Sequence, residues 1–122
     1  MQDIAIEVCP LSNQVLMLVE DLRDHPAASQ WVHENVLTIT MNPDDPGLWG
    51  AVGVSYDWFQ FFLATGNSTG LGLLKQLAIN SWTYSSLSPD LAQSGRSEWQ
   101  TRWDTWVTDL AATTVPVSNA PQ

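Results

Sequence analysis

The 122-residue sequence predicts an α/β fold. Three observations carry that expectation: two short β-rich runs at residues 4–8 and 36–41, a helix-forming stretch between them, and a remainder whose apolar residues recur only at helical spacing. Strand, helix, strand is the order of a βαβ unit, whose crossover makes the two strands parallel. Two parallel strands are too few for a stable open sheet. The sheet is therefore expected to be one part of a larger one.

Ile-Ala-Ile-Glu-Val (4–8) reads as a short, mostly buried strand closed by Cys9-Pro10, because proline cannot donate to a ladder. Ser12 and Asn13 are good N-caps. Val15, Leu18, Val19 and Leu22 follow at helical spacing, which predicts an amphipathic helix stopping near His25-Pro26. Pro26 suits the first position of a second helix, capped by Asp24 or His25 and running to Glu34, with Asn35 as a left-handed cap. Val-Leu-Thr-Ile-Thr-Met (36–41) is apolar and β-branched, hence the second strand. Residues 42–53 hold three Gly and two Pro and read as a loop.

Ser55 is placed to cap a helix over 56–65 that ends at Gly66. A further helix fits 70–82, with Leu71, Leu74, Leu77 and Ala78 on one face. Ser88-Pro89-Asp90 combines a cap, a first-position proline and a first-turn acid. The helix that follows aligns Trp99, Trp103, Trp106 and Leu110. From Thr113 the chain is polar with two Pro and is expected to be disordered. The expected organisation is one segment, 1–112, and a tail, 113–122.

Charge narrows the function. Thirteen acidic residues against four basic ones give a net charge of −9. Neither a nucleic-acid backbone nor an anionic membrane surface is an expected partner, since both are bound through Lys and Arg. No run of 18 apolar residues occurs, and Met1-Gln2-Asp3-Ile4 lacks the basic-then-apolar pattern of a signal peptide. Cys9 is the single cysteine, so neither an intrachain disulfide nor a cysteine-based zinc cluster can form.

The segment richest in chemistry is Asn42-Pro43-Asp44-Asp45-Pro46, directly after the second strand. Parallel strands place reactive groups at their C-terminal ends. Each proline pushes the residue before it toward an extended conformation, and adjacent carboxylates on extended backbone point to opposite sides. One carboxylate could then face a metal and the other a ligand, and Asp is a legitimate zinc ligand. Taken by itself, the same string also reads as a solvated acidic turn.

Several blocks in order carry more. Ile-Glu-Val-Cys-Pro-Leu-Ser-Asn-Gln (6–14), Asp-Leu-Arg-Asp-His-Pro-Ala (21–27), Asp-Asp-Pro-Gly-Leu-Trp-Gly (44–50) and Ser-Tyr-Asp-Trp-Phe (55–59) resemble the adenosine deaminase growth factor family. So do Leu-Lys-Gln-Leu-Ala-Ile-Asn-Ser (74–81), Tyr-Ser-Ser-Leu (84–87) and Arg-Trp-Asp-Thr-Trp-Val (102–107), and the similarity covers residues 3–110. The resemblance implies the C-terminal part of a TIM (β/α)₈ barrel, its seventh and eighth strands plus helices. A whole barrel needs ~250 residues. It also implies a zinc enzyme that hydrolyses adenosine or deoxyadenosine to inosine or deoxyinosine and ammonia. Asp44 matches the family's zinc ligand, and Asp45 matches the residue that hydrogen-bonds the purine. The family further implies secretion and allows a homodimer of the full-length protein.

The rest of the family's machinery is absent from the sequence. The His-x-His of the first strand, the His-Ala-Gly-Glu segment and the Gly-His-Gly segment do not occur. Pro43 also departs from the Ser or Thr that relatives carry before the Asp pair. The chain alone is therefore expected to be inactive. The alternative is a degenerate, non-catalytic relative acting as a binding or regulatory module, whose charge would suit a basic partner.

The remaining chemistry-bearing residues have bland expectations. His25 and His33 read as surface or capping residues, Cys9 as an inert packing thiol, and Glu7 as a strand residue pointing into or out of the barrel. The Trp99/Trp103/Trp106 stripe reads as the packing face of an outer helix. Asn67-Ser68-Thr69 is a glycosylation sequon at a turn.

Overall fold

The computed structural model describes residues 4–34, 38–66 and 70–113. The chain forms two compact units, one ending at Ser86 and one beginning at Leu87. Asn35, the sequon at 67–69 and the tail beyond Thr113 lie outside the described residues.

The first unit is mostly helical around a small parallel sheet. Strand β1 (Ile6–Val8) pairs with β2 (Ile39–Met41) in the register Ile6 to Ile39, Glu7 to Thr40 and Val8 to Met41. The predicted βαβ order is therefore present, with residues 36 and 37 of the expected second strand outside the described residues. Side chains alternate across a strand. Ile6, Val8, Ile39 and Met41 consequently share one face, and Glu7 and Thr40 share the other.

The apolar face meets the helices. Val8, Ala27, Ala28, Ile39, Met41, Phe61 and Leu77 form the core, flanked by Ile6, Trp31, Trp58 and Leu73. Helix α3 (Ser55–Thr65) buries Asp57, Phe61 and Thr65, four residues apart, and ends at Gly66 in the left-handed region (φ 72°). Helix α4 (Gly70–Thr83) buries Leu77 and Asn80 and packs against β2. Leu77 lies where the sequence put it, whereas Leu71 is exposed and Leu73 is the second residue touching the core.

The helix between the strands differs most from expectation. Helix α1 is only Pro10–Val15, starting at the proline with Cys9 as its cap. It stops because Met17 adopts a positive φ of 58°. Val15 and Leu18 are exposed and only Leu22 is buried, so the spacing of apolar residues here does not mark one continuous helix. A 3₁₀ turn over Leu22–Asp24 follows, then a π-helical turn over Ala27–Trp31 that runs into α2 (Val32–Glu34). His25, rather than Asp24, caps this stretch: its Nδ1 accepts the Ala27 N–H at 3.1 Å.

The second unit holds α5 (Pro89–Ala112), opened by Ser88 and Pro89 as predicted. Trp103 stacks at a tilt on Trp99 and on Trp106, with ring centroids 5.6 and 5.2 Å apart. Among the described residues no helix is long and apolar enough to cross a membrane.

Candidate functional site at the strand ends

The loop after β2 continues the ladder by one bond, Asn42 N–H to the Val8 carbonyl. The chain then turns sharply. Asp44 has φ +52°, so it is not extended, and the expectation that two extended residues aim Asp44 and Asp45 oppositely is corrected here. Asp tolerates this region better than most side chains, because its short polar group can bond locally. Asp45 opens a 3₁₀ turn over Pro46–Leu48, its carbonyl accepting the Leu48 N–H. Both carboxylates are exposed at the C-terminal end of the sheet.

Asp44 is held from below. The hydroxyl of Ser12, on α1, donates to Asp44 Oδ2 at 2.6 Å, and Ser12 itself is buried. The sequence reading expects Ser12 as a cap. Instead Pro10 starts the helix earlier, which places Ser12 inside it and under the loop. A proline at the first position with no capping side chain before it is the signal that could have shown this.

Asp57 is the second residue missed. It reaches from α3 to accept the Leu11 N–H at 3.1 Å, closing an amide that α1 leaves open. Asp57 is fully buried, and among the described residues its Oδ2 has no partner. Burial pushes its carboxyl pKa up, against the pull of the Leu11 N–H.

Cys9 sits beside these groups. Burial first, then the carboxylates of Asp44, Asp57 and Glu7, push its thiol pKa up. A raised pKa removes the thiolate that reactivity requires, as an inert thiol should show. His25 is buried, with Nε2 2.7 Å from the Asn13 amide, and burial lowers its pKa. It is a buried cap, not a surface residue, whereas His33 is exposed. Glu7 faces away from the core into an open groove with Thr40, Asn42 and Tyr84.

Asp44 has the right chemistry for a metal donor: a hard carboxylate, exposed, with Oδ2 held by Ser12. A single donor does not make a site. Among the described residues no three His, Cys, Asp or Glu gather as a metal would need.

A parallel strand pair, covered by helices on its apolar face and carrying a carboxylate pair at its C-terminal end, is compatible with part of an α/β protein. No protein-family model matches the sequence. The chain is 44% identical over 111 residues to adenosine deaminase 2 of Homo sapiens, covering 90% of this chain and 21% of that protein. It is 44% identical over 106 residues to adenosine deaminase 2-A of Danio rerio, covering 86% and 21%. It is 42% identical over 105 residues to an adenosine deaminase of Lutzomyia longipalpis, covering 85% and 20%. The chain is a homologue of the adenosine deaminase 2 proteins, of the adenosine deaminase growth factor family, and fits their C-terminal portion. It spans about a fifth of the length of these relatives.

Proposed function

We propose that this chain is the C-terminal share of a zinc-dependent adenosine deaminase barrel and that it does not turn over substrate alone. One observation carries the reading: a helix-backed parallel pair ends in Asp44 and Asp45, inside a stretch 44% identical to adenosine deaminase 2. The helices cover one face of the sheet and polar Glu7 and Thr40 occupy the other, as the interior face of a barrel allows.

In this reading Asp44 is one zinc ligand and the other ligands come from the rest of the barrel. Zinc supplies a water acidified enough to attack a carbon at neutral pH. Asp44 keeps one oxygen for the metal because Ser12 occupies the other. Asp45, on the next turn of the same loop, hydrogen-bonds the purine and fixes its orientation, an effect that lowers the barrier by placement. Secretion and dimer formation belong to the same proposal, on family resemblance.

The test uses a chimera in which residues 3–110 replace the matching stretch of human adenosine deaminase 2. The chimera should form inosine from adenosine. Asp44→Asn should cost about 100-fold or more in turnover, at least what losing a metal ligand's hydrogen-bond partner costs, and Asp45→Asn should mainly weaken substrate binding. Indifference to both substitutions overturns the reading.

The second reading is a non-catalytic module. The β1–β2 ladder uses the Thr38 carbonyl and the Asn42 amide, so the Ile39 carbonyl points to the sheet's other edge. There Asn80 Nδ2 donates to it at 2.8 Å. A covered strand edge suits a chain that stands alone.

A further inference from the structure

We propose that Asp57 is a positioning residue for Asp44, acting through the first turn of α1 rather than by touching a ligand. The contacts form a relay across three remote segments. Asp57 on α3 accepts the Leu11 N–H at 3.1 Å. Ser12, the next residue, donates to Asp44 Oδ2 at 2.6 Å. Asp44 itself holds a backbone conformation of φ +52°. A non-glycine residue keeps such a conformation only where its surroundings impose it.

Helix α1 supplies little of that rigidity by itself. It has six residues, and Cys9 offers no side-chain cap. A helix so short is marginal in water, so its orientation depends on what grips its ends. Asp57 is that grip. Placing a carboxyl group at 0% exposure, with Oδ2 unpartnered among the described residues, costs free energy. A cap served only by local sequence would avoid that cost, as Asn or Ser at position 9 would do. The raised carboxyl pKa of Asp57 is the same burial seen electrostatically. The catalytic consequence rests on reading Asp44 as a zinc ligand, whereas the relay itself is measurable without metal.

The experiment is NMR on the metal-free 122-residue chain. In Asp57→Ala the Leu11 amide should exchange about tenfold faster or more, as loss of a charge-assisted hydrogen bond implies. The side-chain carboxyl ¹³C resonance of Asp44 should move in the same direction as in Ser12→Ala. Asp57→Asn keeps an acceptor oxygen and should restore both signals. Leu77→Ala, a core cavity on α4, should lower stability and leave the Asp44 resonance of the folded chain in place. An Asp44 resonance that moves in Ser12→Ala but not in Asp57→Ala overturns the proposal. If Asp57→Ala does not fold, Asp57→Asn and the wild type decide: an unprotected Leu11 amide in either overturns it. Failure of the zinc-ligand reading shows separately, as a chimera whose zinc affinity ignores Asp44→Asn while the metal-free relay persists.

Discussion

At the residue scale, the hydroxyl of Ser12 decides what Asp44 can do. It ties Oδ2 at 2.6 Å from a buried position. In the chimera, Ser12→Ala should weaken zinc binding about 10–100-fold, the usual cost of removing a group that orients a ligand, read by competition with a chelator. His25 makes the second residue-scale prediction. Its Nδ1 accepts the Ala27 N–H, so protonation at that atom would set two donors against each other in a buried place. Burial lowers its pKa below the ordinary 6.5. A depressed histidine pKa means the unfolded chain takes up the proton first, so the stability His25 contributes is present above about pH 6.5 and is lost as pH falls below it. Asp57 acts oppositely: its folded pKa is raised above 3.8, so its contribution is full below that value and is lost as pH rises through the folded pKa. Denaturant midpoints at pH 7 and pH 5 should fall on acidification. The fall should flatten in His25→Asn.

At the scale of elements, legibility in the sequence followed the length of the segment and the strength of its punctuation. Helix α5 was legible because Ser88-Pro89-Asp90 opens it and Trp99, Trp103, Trp106 and Leu110 follow at helical spacing. Helix α3 was legible because Gly66 ends it. Helix α1 was not, because Val15, Leu18 and Val19 keep helical spacing through a segment that turns at Met17 and never packs as a helix. Local periodicity reports what a face could bury, and only tertiary structure reports whether anything is there to bury it against. The same limit hid Asp57, whose partner lies 46 residues away. Asp44 and Asp45 were legible as a pair through family resemblance, but the turn at Asp44 was not, since its φ is set by neighbours the loop sequence does not name. Two glycines give a test of the punctuation itself. Gly66 ends α3 at φ +72° and Gly72 lies inside α4 with open space where a Cβ would go. Gly66→Ala should destabilise the chain by about 1 kcal/mol, and Gly72→Ala should stabilise it by about 0.5–1 kcal/mol, because only the first conformation penalises a side chain. Thermal melts of the two variants against wild type measure both signs in one experiment.

At the scale of the whole molecule, the two readings of function differ in what the isolated chain does in water. The first unit has a core of seven residues built on two three-residue strands. Beside it the stretch Val15, Leu16, Met17 and Leu18 is exposed throughout, Met17 at 90%. Contiguous apolar surface of this kind marks a place where another surface belongs, and an incomplete sheet leaves backbone groups free to pair. Asn80 covers one carbonyl of one edge, which is a single hydrogen bond worth about 1 kcal/mol against the loss of a whole neighbouring strand. That magnitude favours the incomplete barrel over the self-sufficient module. The isolated chain should therefore keep its first unit folded around that core, yet bind a hydrophobic dye at the exposed stretch in the absence of denaturant, melt over a broad range, and produce no inosine when zinc and adenosine are added. The three readouts separate the alternatives because they move independently. A sharp melt with no dye binding and no turnover identifies the stand-alone module, in which the apolar stretch waits for a partner. Turnover by the pure chain overturns both readings, since a catalytic zinc takes three protein ligands and no such group gathers among the described residues.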